Sequence, residues 1–67
     1  MPVDNLRAMT DDELSAELEE SHRELMNLRF RAATMQLADV SQIKRARKRI
    51  AQIKTVARER QLARIEQ

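Results

Sequence analysis

Leu14, Leu18, Ser21, Leu25, Leu28, Ala32 and Met35 recur at steps of four, three, four, three, four and three residues. An α-helix turns by about 100° per residue, so this spacing stacks them in one stripe down a single helix. A strand would scatter the same residues over both faces. The stripe begins just behind Thr10-Asp11-Asp12-Glu13, which reads as a capping box. The Thr10 hydroxyl accepts from the amide of Glu13, and the Glu13 carboxylate reaches back to the amide of Thr10. The acids that follow Thr10 also suit the positive end of the helix dipole.

A second line, Ile43, Ala46, Ile50, Ile53 and Ala57, steps three, four, three, four behind Asp39, a good N-cap, with Gln42 three residues on. The link from Gln36 to Asp39 is too short for anything but an antiparallel turn-back. The expected fold is therefore all-α, an antiparallel two-helix hairpin forming a single domain over residues 1–67. Helix one spans about residues 10–35, the turn about 36–39 and helix two about 40–64. Val3, Leu6 and Met9 suggest a short extra helical turn packed near the start of helix one.

Charge divides the chain. Residues 1–30 hold eight acids against three bases, a net of −5, whereas residues 31–67 hold ten bases against three acids, a net of +7. Such asymmetry points to a polyanion partner for the basic half. On helix two, Lys44, Arg47, Lys54 and Arg58 share one flank of the apolar line, with Lys48 and Thr55 just behind. Ala51 keeps that flank low enough for phosphates to approach the backbone. Arg45, Arg49 and Arg60 fall on the other flank. The acids Glu13, Glu17, Glu20 and Glu24 should face the C-terminal half of helix two, leaving the Lys44–Arg49 cluster without an intramolecular partner. Off the seam of helix one, Met26 and Phe30, continued towards Leu37, form a second apolar stripe. It is covered by residues 3–9 or marks a docking surface for a protein or RNA neighbour.

Several function classes are set aside. With 67 residues and no cysteine, there is neither a disulfide framework nor a thiolate metal site. Glu19 and His22 form a single Glu-x-x-His, whereas carboxylate-bridged metal bundles need that pair twice. No hydroxyl has a base positioned beside it, and two helices enclose no ligand-sized cleft, so neither an enzyme nor a cofactor is expected. No apolar run approaches the roughly 20 residues of a membrane span, and no signal pattern opens the chain. A cytoplasmic location is the expectation.

Two stretches resemble one family. Leu25 to Leu37, LMNLRFRAATMQL, is similar to its central motif, and Ile43 to Arg60, IKRARKRIAQIKTVARER, to its second. LRAMTDDEL is similar to the family's opening. The family is that of the twenty-ninth protein of the large ribosomal subunit. The resemblance implies a hairpin lying on large-subunit rRNA near the exit of the polypeptide tunnel, beside ribosomal protein number twenty-three. It implies rRNA contacts by Asn27, Arg29 and Gln36 of the first motif and by Arg47, Lys48, Lys54 and Thr55 of the second. Arg31 adds charge where the family is often neutral or acidic. Gln52 replaces an arginine and Met26 a phenylalanine. Met35 stands where the family has glycine, which argues for a helix that runs on and against a left-handed cap.

The leading reading is thus a structural rRNA-binding protein of the large subunit. It would use Arg29, Arg31, Lys44, Arg47, Lys48, Lys54 and Arg58 with Asn27, Gln36 and Thr55, while Met26 and Phe30 meet a neighbour. The rival is a helical protein–protein adaptor or self-associating hairpin without a nucleic-acid role. Salt discriminates between them, because binding through phosphates weakens steeply as salt rises.

Overall fold

The computed structural model describes residues 3–36 and 39–66. Three helices follow in order: α1 (Val3–Arg7), α2 (Asp11–Ala33) and α3 (Ser41–Glu66). Helices α2 and α3 form the expected antiparallel hairpin. Leu14, near the start of α2, packs with Ile53 and Val56, whereas Leu25 and Leu28, near its end, pack with Ala46 and Ile50. The molecule is a rod of 49 × 18 × 16 Å, too thin to enclose a ligand between its helices.

The α2 stripe is explained by its spacing. Leu14, Ser21, Leu25 and Leu28 are buried, and Leu18 bridges the two halves of the core. Its start is fixed by the capping box. The Glu13 amide donates to Thr10 Oγ1 at 3.1 Å, and the Thr10 amide donates to the Glu13 carboxylate at 3.3 Å. At the start of α3 the Asp39 carboxylate accepts from the Ser41 amide at 3.0 Å and from its hydroxyl at 2.6 Å. These bonds satisfy one of the amides that a helix N-terminus leaves open.

One packing expectation changes and one open alternative is decided. On α3 the seam runs through Val56, 2% exposed, and not through the exposed Ala57. The reason is α1, which crosses α3 and drives Leu6, 0% exposed, against Ile53 and Val56. A two-helix picture has no element on that side, so it follows the average line and misses the three-residue step. Conversely, α1 does not cover the second stripe of α2, and Met26 and Phe30 remain 70% and 67% exposed. Met9 joins the Leu6 cluster, while Leu37 and the side chain of Val3 lie outside the described residues.

The end of α2 is the second surprise. The helix stops at Ala33, and Met35, 94% exposed, leaves the apolar line with φ of 60°. The Gln36 amide donates to the Arg31 carbonyl at 2.8 Å, and the Met35 amide to the Ala32 carbonyl at 3.2 Å. These are the six-to-one and five-to-two bonds of a Schellman closure, with methionine in the left-handed position that glycine normally fills. The geometry is thus kept despite the side chain. It costs an L-residue about 1–2 kcal/mol, partly matched by the entropy a glycine would lose on folding. Met35→Gly is expected to raise stability by about 0.5–1 kcal/mol, read as a later urea midpoint. A lower midpoint would contradict this account of the cap.

Candidate nucleic-acid interface

The chain has 13 lysines and arginines, and the structure sorts them into two populations. Six are engaged by carboxylates: Arg7 by Glu59, Arg23 by Glu19, Arg45 by Asp39, Arg49 by Glu17, and both Arg60 and Arg64 by Asp11. The remaining seven are Arg29, Arg31, Lys44, Arg47, Lys48, Lys54 and Arg58. Among the described residues no ion pair holds any of them, and all are exposed. These seven are the basic residues expected at the interface.

The engaged group builds the fold. Arg49 is the most enclosed of these pairs, with its side chain 14% exposed and 2.9 Å from Glu17 across the seam. Arg60 Nη1 donates to Asp11 at 2.9 Å, while its Nη2 donates to the main-chain carbonyls of Arg7 at 3.0 Å and Met9 at 2.5 Å. One guanidinium therefore ties the end of α1 and the start of α2 to α3. The planar fork of arginine, with several donors, is suited to this task in a way lysine is not. These pairs correct the expectation that Lys44–Arg49 lacks internal partners. Arg45 pairs with Asp39 and Arg49 with Glu17, whereas among the described residues Lys44, Arg47 and Lys48 have no ion pair.

Four of the free cations are arranged along one flank of α3. Lys44, Arg47, Ala51, Lys54 and Arg58 step three, four, three, four, a line about 21 Å long at 1.5 Å per residue. Two shallow grooves follow it. Val40, Ile43, Lys44, Arg47 and Lys48 line one near the turn. The other crosses between the helices and joins Arg29 and His22 of α2 to Arg47, Ala51 and Lys54 of α3. Among the described residues no acid lines either groove. Cations clustered without counter-charges raise the local potential and favour a bound anion.

The other expected residues fall elsewhere. Thr55 lies beside this flank, but its hydroxyl donates to the Ala51 carbonyl at 2.8 Å, so its oxygen is left as an acceptor. Asn27 and Arg31 are each two residues from Arg29, about 160° around α2 from it. They cannot share its groove. Gln36 is exposed in the turn after α2. The expected set is therefore one line with a cross-helix extension, plus a separate patch at Asn27 and Arg31. His22 in the cross-helix groove was not anticipated. The signal lay in its seven-residue distance from Arg29, which puts the two on one side of α2.

A family model described as "Ribosomal L29 protein" matches residues 4–60. The chain belongs to this family. It is 53% identical over 62 residues to the large ribosomal subunit protein uL29 of Thermosipho africanus, spanning 92% of this chain and 94% of that one. To its counterpart in Zymomonas mobilis it is 49% identical over 59 residues, 88% of each chain. To that of Mycobacterium avium it is 51% identical over 57 residues, 85% of this chain and 74% of that one. A member of this family is a structural protein of the large ribosomal subunit, in the cytoplasm with the ribosome, and not an enzyme.

Two carboxylates of this family member titrate low. Hydrogen bonds from Arg60 and then Arg64 hold the Asp11 carboxyl below its ordinary value of 3.8, and the Ser41 hydroxyl and amide do the same for Asp39. A carboxyl lowered in the folded state contributes stability that is complete above the unfolded value and is lost as pH falls through the folded one. The urea midpoint is therefore expected to hold down to about pH 4 and to drop below it. Asp11→Asn should flatten part of that drop, and an unchanged acid slope would count against the Asp11 clamp.

Proposed function

We propose that this member of the family sits on large-subunit rRNA through its unengaged cations, near the exit of the polypeptide tunnel and beside ribosomal protein number twenty-three. The observation that carries the reading is the partition of charge. The cations that stabilise the hairpin have carboxylate partners, and those along the outer flank of α3 have none among the described residues.

Lys44, Arg47, Lys48, Lys54 and Arg58 neutralise phosphates along that flank, and Arg29 extends the contact across to α2. Displacement of counterions from the RNA drives the association, and contacts of this kind position the protein without reading base sequence. A stripe about 21 Å long spans several phosphates and can bridge separate RNA segments. Thr55 offers an acceptor to a ribose hydroxyl. Asn27, Arg31 and Gln36, on a different side, touch a second RNA segment. Met26 and Phe30 face the neighbouring protein, since an exposed aromatic–methionine pair is the composition that protein interfaces favour.

Self-association through the seam is disfavoured. Leu25, Leu28, Ile50 and Ile53 are buried within one copy, and a coiled-coil dimer through them would require the hairpin to open. The test is photo-crosslinking in assembled large subunits, with a benzophenone side chain placed in turn at Lys48, Arg45 and Phe30. Crosslinks to rRNA from position 48, few from 45, and a crosslink from 30 to a ribosomal protein are expected. Equal rRNA yield from 45 and 48 would overturn the assignment of the flank.

A further inference from the structure

We infer that the groove beside the turn seats an unpaired nucleotide of the RNA, its base laid on Val40 and Ile43 and its flanking phosphates on Lys44, Arg47 and Lys48. The inference rests on the rRNA-binding reading above and names the RNA feature that this end of the flank selects.

Val40, Ile43, Lys44, Arg47 and Lys48 line the groove, and among the described residues no acid lines it. Val40 is 69% exposed. It already lies on the first turn of α3, since its carbonyl accepts from the Ile43 amide at 3.1 Å. Lys44 and Arg47 stand four and seven residues further on, on the same side of the helix. Ile43 is half-buried and packs against the cluster of Leu25 and Ile50, which anchors the floor of the groove. The acid nearest in sequence, Asp39, is engaged by Ser41 and Arg45.

Two kinds of lining residue call for two kinds of surface on one partner. The cations call for phosphate, and Lys44 and Arg47 belong to the line that tracks the RNA backbone. The aliphatic pair calls for an apolar face. The outside of an RNA duplex presents phosphates and ribose hydroxyls, with base edges only in its grooves, and would set polar groups against Val40. A base freed from its stack offers an apolar plane between two phosphates. Every base has such a plane, so the seat selects an unpaired position without reading its identity. The floor is aliphatic, so the gain should sit near the lower end of what stacking on an aromatic ring provides, about five- to tenfold in affinity.

The experiment compares binding of the whole chain to two short RNA hairpins at fixed salt, one fully paired and one with a single unpaired nucleotide in its stem. The unpaired base is the fluorescent analogue 2-aminopurine. The proteins are the wild type, Val40→Ala and Val40→Phe, with deproteinised large-subunit rRNA as a further ligand for each. Val40 is exposed, so both variants should keep the helical spectrum. The wild type should prefer the bulged hairpin by about five- to tenfold, and the fluorescence of the bulged base should change on binding. Val40→Ala should lose most of that preference and Val40→Phe should increase it. Affinity for the paired hairpin and the slope of log affinity against log salt should stay the same in all three, because no cation is lost. Equal affinity of the wild type for the two hairpins, a preference that survives Val40→Ala, or binding to rRNA but to neither hairpin would overturn the inference while leaving the rRNA reading intact. The groove would then be left to a protein neighbour. Absence of binding to all three RNAs would overturn both.

Discussion

Changing Arg47, Lys48 and Lys54 together to alanine should weaken binding to large-subunit rRNA on the order of a hundredfold at about 0.1 M salt. The helical spectrum should stay as it is. None of the three has an ion pair among the described residues, and none belongs to either core cluster. Alanine is also the best helix former, so the hairpin has no reason to suffer. Each lost phosphate contact should remove about one unit from the slope of log affinity against log salt. The control is Arg45→Ala, on the opposite flank and engaged by Asp39. It should change affinity by less than about threefold, because only the long-range field is altered. A similar loss in both variants would mean that net charge, and not the flank, determines binding.

Ile53→Ala should be the most damaging single change to the fold. Ile53 is 1% exposed and packs with Leu6, Leu14 and Val56, where all three helices meet. Truncating a buried isoleucine costs about 2–5 kcal/mol through lost transfer energy and the cavity left behind. A chain of 67 residues has a total of only about 3–10 kcal/mol at typical stability per residue. The melting midpoint should therefore fall by about 12–24 °C for a loss near 3 kcal/mol, and much of the helical signal should be gone at room temperature. Phe30→Ala is the contrast. It deletes the single aromatic ring, yet that ring is 67% exposed, and the effect on the free protein should stay within about 0.5 kcal/mol. A large loss from Phe30→Ala would mean that the outer stripe of α2 packs against something in the free chain.

Much of this is legible in the sequence because periodicity and capping are local. The α2 stripe places Leu14, Ser21, Leu25 and Leu28 inside without knowledge of the partner helix, and Thr10 and Glu13 announce the helix start in four residues. The basic flank is legible for the same reason, since a line at steps of three and four can be drawn on any helix. The errors arise where a third element or a distant partner decides. Val56 replaces Ala57 because Leu6 arrives over α3 from about fifty positions away in the chain. Arg45 and Arg49 belong to the fold because Asp39 and Glu17 meet them, which a count of charges cannot show. Met35 closes α2 in a conformation its side chain disfavours, and two main-chain bonds hold it there. A residue's own preference is weak evidence when its neighbours fix its dihedral angles.

On the proposed function, the unengaged cations neutralise RNA phosphates. The direct test is the affinity of the free protein for deproteinised large-subunit rRNA across a salt series. Each neutralised phosphate contributes about −0.7 to −0.9 to the slope of log affinity against log salt. With five or more of the seven cations engaged, the slope should be about −3.5 or steeper. A slope near zero, or binding that strengthens with salt, would mean that apolar surface drives the association, and the partition of charges would then need a different explanation.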